Sequence, residues 1–157
     1  QTQKPIEPKE KKKKGEDGMK QSQKLLLTWL IEYQGLYRSI CDFIKPEDFT
    51  EEIYRKVAQI LFEQYEQTGQ PNPAKIVSMF GEEEQREIAA LFNARLEDVE
   101  TRADREKALK ETIVRIKQNS IEYKNKNLDP TDIQGLQRLM NAKKAVQDLH
   151  KLHISIN

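Results

Sequence analysis

From Ser22 onward the apolar residues recur at helical spacing and are interrupted by breakers at short intervals. Leu25, Leu26, Trp29, Leu30 and Tyr33 fall at i, i+1, i+4, i+5 and i+8, with Ser22 as an N-cap before them and Gly35 after them. Leu36 to Ile44 reads as a second short helix with Ile40, Phe43 and Ile44 inward, stopped by Pro46. Thr50 fits the cap of a third helix running to about Gln67, whose Ile53, Val57, Ile60, Leu61, Phe62 and Tyr65 make the broad stripe of a central bundle element before Gly69 ends it. Asn72 followed by Pro73 predicts the cap and first position of a short helix ending before Gly81. Glu82 to Asn93 predicts another, with an acidic first turn that suits the helix dipole and Ile88, Leu91 and Phe92 inward.

The last third changes character. From about Asp104 to Leu152 two long arms flank the breaker Asn127-Leu128-Asp129-Pro130, which predicts antiparallel helices. One face of the first arm carries Leu109, Ile113, Ile116, Ser120 and Tyr123, and one face of the second carries Ile133, Leu136, Met140, Val146 and Leu149. These stripes are expected to close on each other. Val114, Ile121, Leu139 and Leu152 lie off those seams and require a second surface, because a two-helix hairpin buries too little to stand alone. Asn119 and Ser120 in mid-arm make a kink an open alternative. No segment alternates with period two, so the expected class is all-α: a compact bundle of about five to six short helices, then a long helix and a C-terminal helical hairpin.

Composition qualifies this picture at the ends. Residues 1–20 combine two Pro and two Gly with seven Lys against four acids, the composition of a flexible basic linker. Residues 21–103 carry nine basic against fifteen acidic side chains, and residues 104–157 eleven against seven, so an acidic bundle is expected between a basic tail and a basic hairpin. The organisation read from this is a linker over 1–21, a compact helical subdomain over 22–98, and a connecting helix with hairpin over 99–157. The chain opens on Gln1 within a polar segment, which reads as a piece of a longer protein. A single cysteine, Cys41, excludes an internal disulfide and, with no signal peptide and no apolar run of membrane length, fits a cytoplasmic address.

Candidate chemistry is sparse. His150 and His153 are three apart but have only Asp148 as a nearby carboxylate, too few donors for zinc. Glu82, Glu83 and Glu84 are consecutive and so diverge around a helix. Cys41 sits between Ile40 and Phe43 with no local base to activate it and reads as a small buried hydrophobe. Trp29, Tyr33, Tyr37 and Tyr54 fall within apolar stripes and read as core, not as stacking platforms for bases. No phosphate-binding Gly loop, H-E-x-x-H or G-x-S-x-G occurs. No catalytic residue, cofactor or metal is therefore expected.

The residues left over form an ordered set: Ile44-Lys45-Pro46-Glu47-Asp48-Phe49, then Ile53, Ile60-Leu61-Phe62, Tyr65-Glu66 and the turn Gly69-Gln70-Pro71. This set resembles the I-x-P-E-D-F turn, Y-E helix end and G-x-P turn of the N-terminal collar domain of bacterial replicative helicases. The C-terminal helicase-binding domain of bacterial DNA primase shares that fold. The opening Gln23-Lys24-Leu25-Leu26-Leu27-Thr28-Trp29-Leu30 lacks the collar's E-A-E-Q and V-L-G features and looks more like the primase domain, of the Bacillus type. The resemblance covers about Ser22 to Leu152.

That resemblance implies a non-catalytic domain that docks primase, a DNA-directed RNA polymerase, on the N-terminal collar of the hexameric replicative helicase and modulates both enzymes during priming. The contact strip expected on the hairpin is Leu136, Leu139, Met140, Lys143, Val146, Leu149, Leu152 and Ile154, with Arg138, Lys144 and Lys151 joining Lys143 as a charged rim. Direct nucleic-acid contact is expected only from a weak basic tail, and no membrane contact is expected. Two alternatives stay open: the collar domain itself, and a helical nucleic-acid-binding module.

Overall fold

The computed structural model describes the backbone of residues 7–93, 101–151 and 154, and the side chains from residue 18 onward within those spans except Asn93. It is all-α. Seven helices occur among the described residues: α1 (Glu7–Glu32), α2 (Leu36–Ile40), α3 (Glu52–Thr68), α4 (Pro73–Ser78), α5 (Glu82–Asn93), α6 (Arg102–Lys126) and α7 (Ile133–Lys151), with a 3-10 turn at Pro46–Asp48.

The breakers act as their chemistry requires. Gly69 takes φ 75° at the end of α3, a left-handed conformation that only glycine adopts without strain, and its N–H satisfies the Tyr65 carbonyl. Asn72 accepts from the Lys75 N–H at 3.2 Å and Pro73 opens α4. Asp129 accepts from both the N–H and the hydroxyl of Thr131, at 2.9 and 2.8 Å, fixing the turn between α6 and α7, and these two bonds hold its carboxyl below the ordinary range. Asp132 accepts from the Gly135 N–H at 2.9 Å at the start of α7.

The compact part has one buried cluster fed by every helix around it. Leu26, Leu27, Leu30, Leu36, Ile40, Ile44, Phe49, Leu61, Ile76, Ile88 and Leu91 are fully buried. Around them Tyr37 stacks on Tyr65 with centroids 4.7 Å apart and meets the Phe62 ring edge-on at 5.2 Å, while the Tyr65 hydroxyl donates to the Leu30 carbonyl. Trp29 and Tyr54 are buried too, and Tyr33 and Tyr37 pack partly against the core.

Three local expectations are corrected. α1 begins at Glu7, so Ser22 lies inside it, its hydroxyl donating back to the Gly18 carbonyl at 3.0 Å instead of capping. Pro8 is tolerated because it sits in the first turn, where its missing N–H has no helical partner to lose, and the Glu and Lys around it are good helix formers. The 21/22 boundary of the expected linker therefore falls within a helix, while residues 1–6 lie outside the described set. Thr50 does not cap α3, whose N-cap is Glu51. Its hydroxyl instead receives the amides of Gln23, at 2.9 Å, and Asn119, at 3.2 Å. Cys41 is only half-buried, its thiol 3.7 Å from the Arg38 carbonyl.

The joining segment read at Leu96 to Arg102, and with it the 98/99 boundary, falls mostly on residues outside the described set. α6 itself is one continuous helix across Asn119 and Ser120.

Candidate docking surface

α6 lies between two neighbours, and its residues explain which side faces which. Ser120, on the same face as Leu109, Ile113 and Ile116, donates to Asp48 Oδ1 at 2.7 Å, so that face meets the bundle. Val114 and Ile121, roughly 120° around the helix, line the groove shared with α7. The sequence stripe expected to close on the second arm thus seats the hairpin on the bundle through Leu109, Ile113, Ile116 and Ser120, while Val114 and Ile121, read as off-seam, lie toward α7.

The seat is polar at its centre. Asp48 is 0% exposed. Its carboxylate accepts from the Lys45 N–H at 2.8 Å, the Ser120 hydroxyl, Lys117 Nζ at 3.0 Å and Lys124 Nζ at 3.5 Å, which also reaches Glu47 at 3.6 Å. Gln23, also fully buried, clips α1 to the same place by accepting from the Glu51 N–H at 3.1 Å and donating to Thr50. Arg115 donates to the Ser22 hydroxyl at 3.1 Å. A buried carboxylate is tolerable only when its lone pairs and charge are met in this way. The reading of sequence missed this joint. The signal was present: Lys117, Ser120 and Lys124 form an i, i+3, i+7 polar line beside an apolar stripe, a pattern that calls for an acid opposite.

On α7 the apolar residues divide into two sets. Leu139, Val146 and Leu149 face inward, with Leu149 1% exposed, and Ile154 beyond the helix is buried as well. Ile133, Leu136 and Met140 lie outward, 76%, 38% and 69% exposed. The sequence stripe that placed Ile133, Leu136 and Met140 with Val146 and Leu149 merges these sets, which at 100° per residue are more than a quarter-turn apart. Of the eight residues expected as a contact strip, Leu136, Met140 and Lys143 are at the surface; Leu139, Val146, Leu149 and Ile154 are core; Leu152 lies outside the described residues. Ile133, outside that expected strip, is exposed on the same side as Leu136 and Met140.

The outward set has a distinctive setting. Residues 133–147 contain Arg138, Lys143 and Lys144 and not one carboxylate. The apolar line is flanked by Lys143 and Lys144, while Arg138 turns to the far side of α7, where it lines a hollow with Leu139 and the exposed Tyr123. Among the described residues no three of His, Cys, Asp and Glu gather closely enough to hold a metal ion, and no helix is long and apolar enough to cross a membrane. No protein-family model, no curated protein and no solved structure matches this chain.

Proposed function

We propose that this chain is the non-catalytic helicase-interaction domain of a DNA primase, and that it docks on the N-terminal collar of the hexameric replicative helicase through the outward face of α7. The observation that carries the reading is the unpartnered line of Ile133, Leu136 and Met140 beside Lys143 and Lys144. An apolar centre with a charged rim is the anatomy of a protein interface, and three large side chains exposed at i, i+3 and i+7 are costly on a helix that has nothing to bind. The burial of Asp48 within Pro46-Glu47-Asp48-Phe49 adds support, since the motif that carries the family resemblance is here the joint that sets the hairpin on the bundle.

In this reading the chain forms no bonds. It holds the primer-synthesising enzyme at the fork and raises its effective concentration on the emerging strand, and it shifts the helicase only as far as its affinities for two collar arrangements differ. Calorimetric titration of the chain into the replicative helicase of the same organism tests it. Saturable binding is expected, weakened at least tenfold by Met140→Asp and by Ile133→Asp, both at exposed positions that leave the fold intact. Absence of wild-type binding would overturn the proposal, and assembly of the chain alone into rings would favour the collar.

A further inference from the structure

We infer that the groove between α6 and α7 is a binding path for the sugar-phosphate backbone of single-stranded nucleic acid, separate from the outward apolar line. The hairpin has two adjoining hollows on this side. One, of ≈ 580 Å³, lies between Gln118, Glu122 and Asn125 on α6 and Lys143, Gln147 and His150 on α7. The other, of ≈ 360 Å³, continues among Lys107, Lys110, Glu111 and Arg115. Both are walled by Gln118 and His150, so they form one trough, and Lys107 to Asn125 along α6 gives it a length of roughly 27 Å.

The chemistry of the trough selects its occupant. Its apolar floor, Val114, Ile121 and Val146, is 6–7% exposed, already covered by the hairpin's own packing, so an apolar anchor from a peptide finds no pocket to fill. What remains accessible is four cations (Lys107, Lys110, Arg115 and Lys143) and three amides (Gln118, Asn125 and Gln147), against two carboxylates, Glu111 and Glu122. Among the described residues none of these four cations lies within ion-pair distance of a carboxylate. Lys110 reaches the His150 carbonyl and Arg115 the Ser22 hydroxyl, contacts that position both without neutralising them. Cations and amides in a row are the groups that hold phosphates and sugars. Among the described residues no Phe, Tyr or Trp lines the trough and His150 is its one ring, so contacts to the backbone outweigh stacking and base identity counts for little.

Fluorescence anisotropy of a labelled thymidine oligonucleotide of about twelve residues, titrated with the whole chain, tests this. With four cations released on binding, the log–log salt slope is expected near −3, a loss of about 50-fold from about 50 to about 200 mM salt. Lys107→Gln with Lys143→Gln halves the slope, to a loss of about 7-fold over the same range, while thermal unfolding stays unchanged. Replacing Lys11, Lys12, Lys13 and Lys14 by Gln leaves at least half of the slope. If that tail variant loses all binding while the groove variant binds as the wild type does, the site is the tail and the inference fails. It fails equally if no anisotropy change develops at low salt, or if polyglutamate displaces the oligonucleotide at equal charge concentration. Met140→Asp separates the two surfaces: it weakens helicase docking and leaves oligonucleotide binding as it was.

Discussion

Asp48 concentrates more of the architecture than any other side chain, because one fully buried carboxylate ties the 3-10 turn to three residues of α6. Removing it strands the Lys117 ammonium, whose side chain is only 13% exposed, and leaves the Ser120 hydroxyl without its acceptor. Asp48→Ala is expected to cost about 3–5 kcal/mol in urea unfolding, the range for breaking one side of a buried ion pair. Asp48→Asn keeps the shape but loses the charge, and should cost about 1.5–3 kcal/mol. Lys56→Ala, which breaks an exposed pair with Glu52, is the control and should change stability by no more than about 0.5 kcal/mol. In sequence this residue passes for part of a solvated turn, since Pro-Glu-Asp is ordinary turn chemistry. Its burial is set by a helix some seventy positions later, which local pattern does not report.

Tyrosine behaviour is a second residue-level consequence. Burial pushes the Tyr65 phenol up to about 12, and burial with the nearby Glu66 charge takes Tyr37 to about 12. The unfolded chain ionises near the ordinary value of about 10. Between those values the unfolded state releases protons that the native state retains, so stability is intact below about pH 10 and falls as pH rises toward 12. Phenolate absorbance and helical circular dichroism should therefore change together in that window. Full ionisation of Tyr37 and Tyr65 near pH 10 with helicity retained would contradict their burial.

At the scale of elements, the helices bounded by Gly69, Asn72-Pro73 and Gly81 were legible because the breakers act locally, and α5 spans Glu82–Asn93 as read. α7 shows where periodicity stops being sufficient. Its residues at 133, 136 and 140 and at 139, 146 and 149 each make an acceptable helical line, and only the position of α6 decides which is inside. The decision has an experimental signature. Leu149→Ala should destabilise the chain by about 2–5 kcal/mol, whereas Met140→Ala should leave unfolding within about 0.5 kcal/mol of wild type. An aspartate at 149 would thus impair docking by unfolding the hairpin, while one at 140 reports on the surface itself. Gly135 belongs to the same argument: a Cβ there would meet the side-chain ends Leu128 Cδ1 and Asp132 Oδ2 at 2.5 Å, which would have to shift where the inter-helix turn folds over the start of α7.

For the molecule as a whole, the buried residues of the bundle and of the hairpin form one cluster, and α6 is the element common to both. The polar joints through Ser22, Gln23, Asp48 and Thr50 all run from the first half of the chain to its own neighbours or to α6. A fragment ending near residue 98 would therefore leave Asp48 buried without Lys117, Ser120 and Lys124, and uncover the face of α1 that α6 occupies. Its urea midpoint should fall well below that of the whole chain, and its amide protons should exchange faster throughout α1. Equal stability of fragment and whole chain would show that the bundle needs no hairpin. The coupling also bears on function. If docking on α7 is to influence anything beyond tethering, the path runs through α6 to the Asp48 joint, since this is where the hairpin is anchored by charge and not only by packing. Asp48→Asn in the whole chain, assayed for helicase affinity and for helicase ATP hydrolysis, separates the two roles: retained affinity with lost stimulation would place the modulation in this joint, and retention of both would show that any modulation runs by another path.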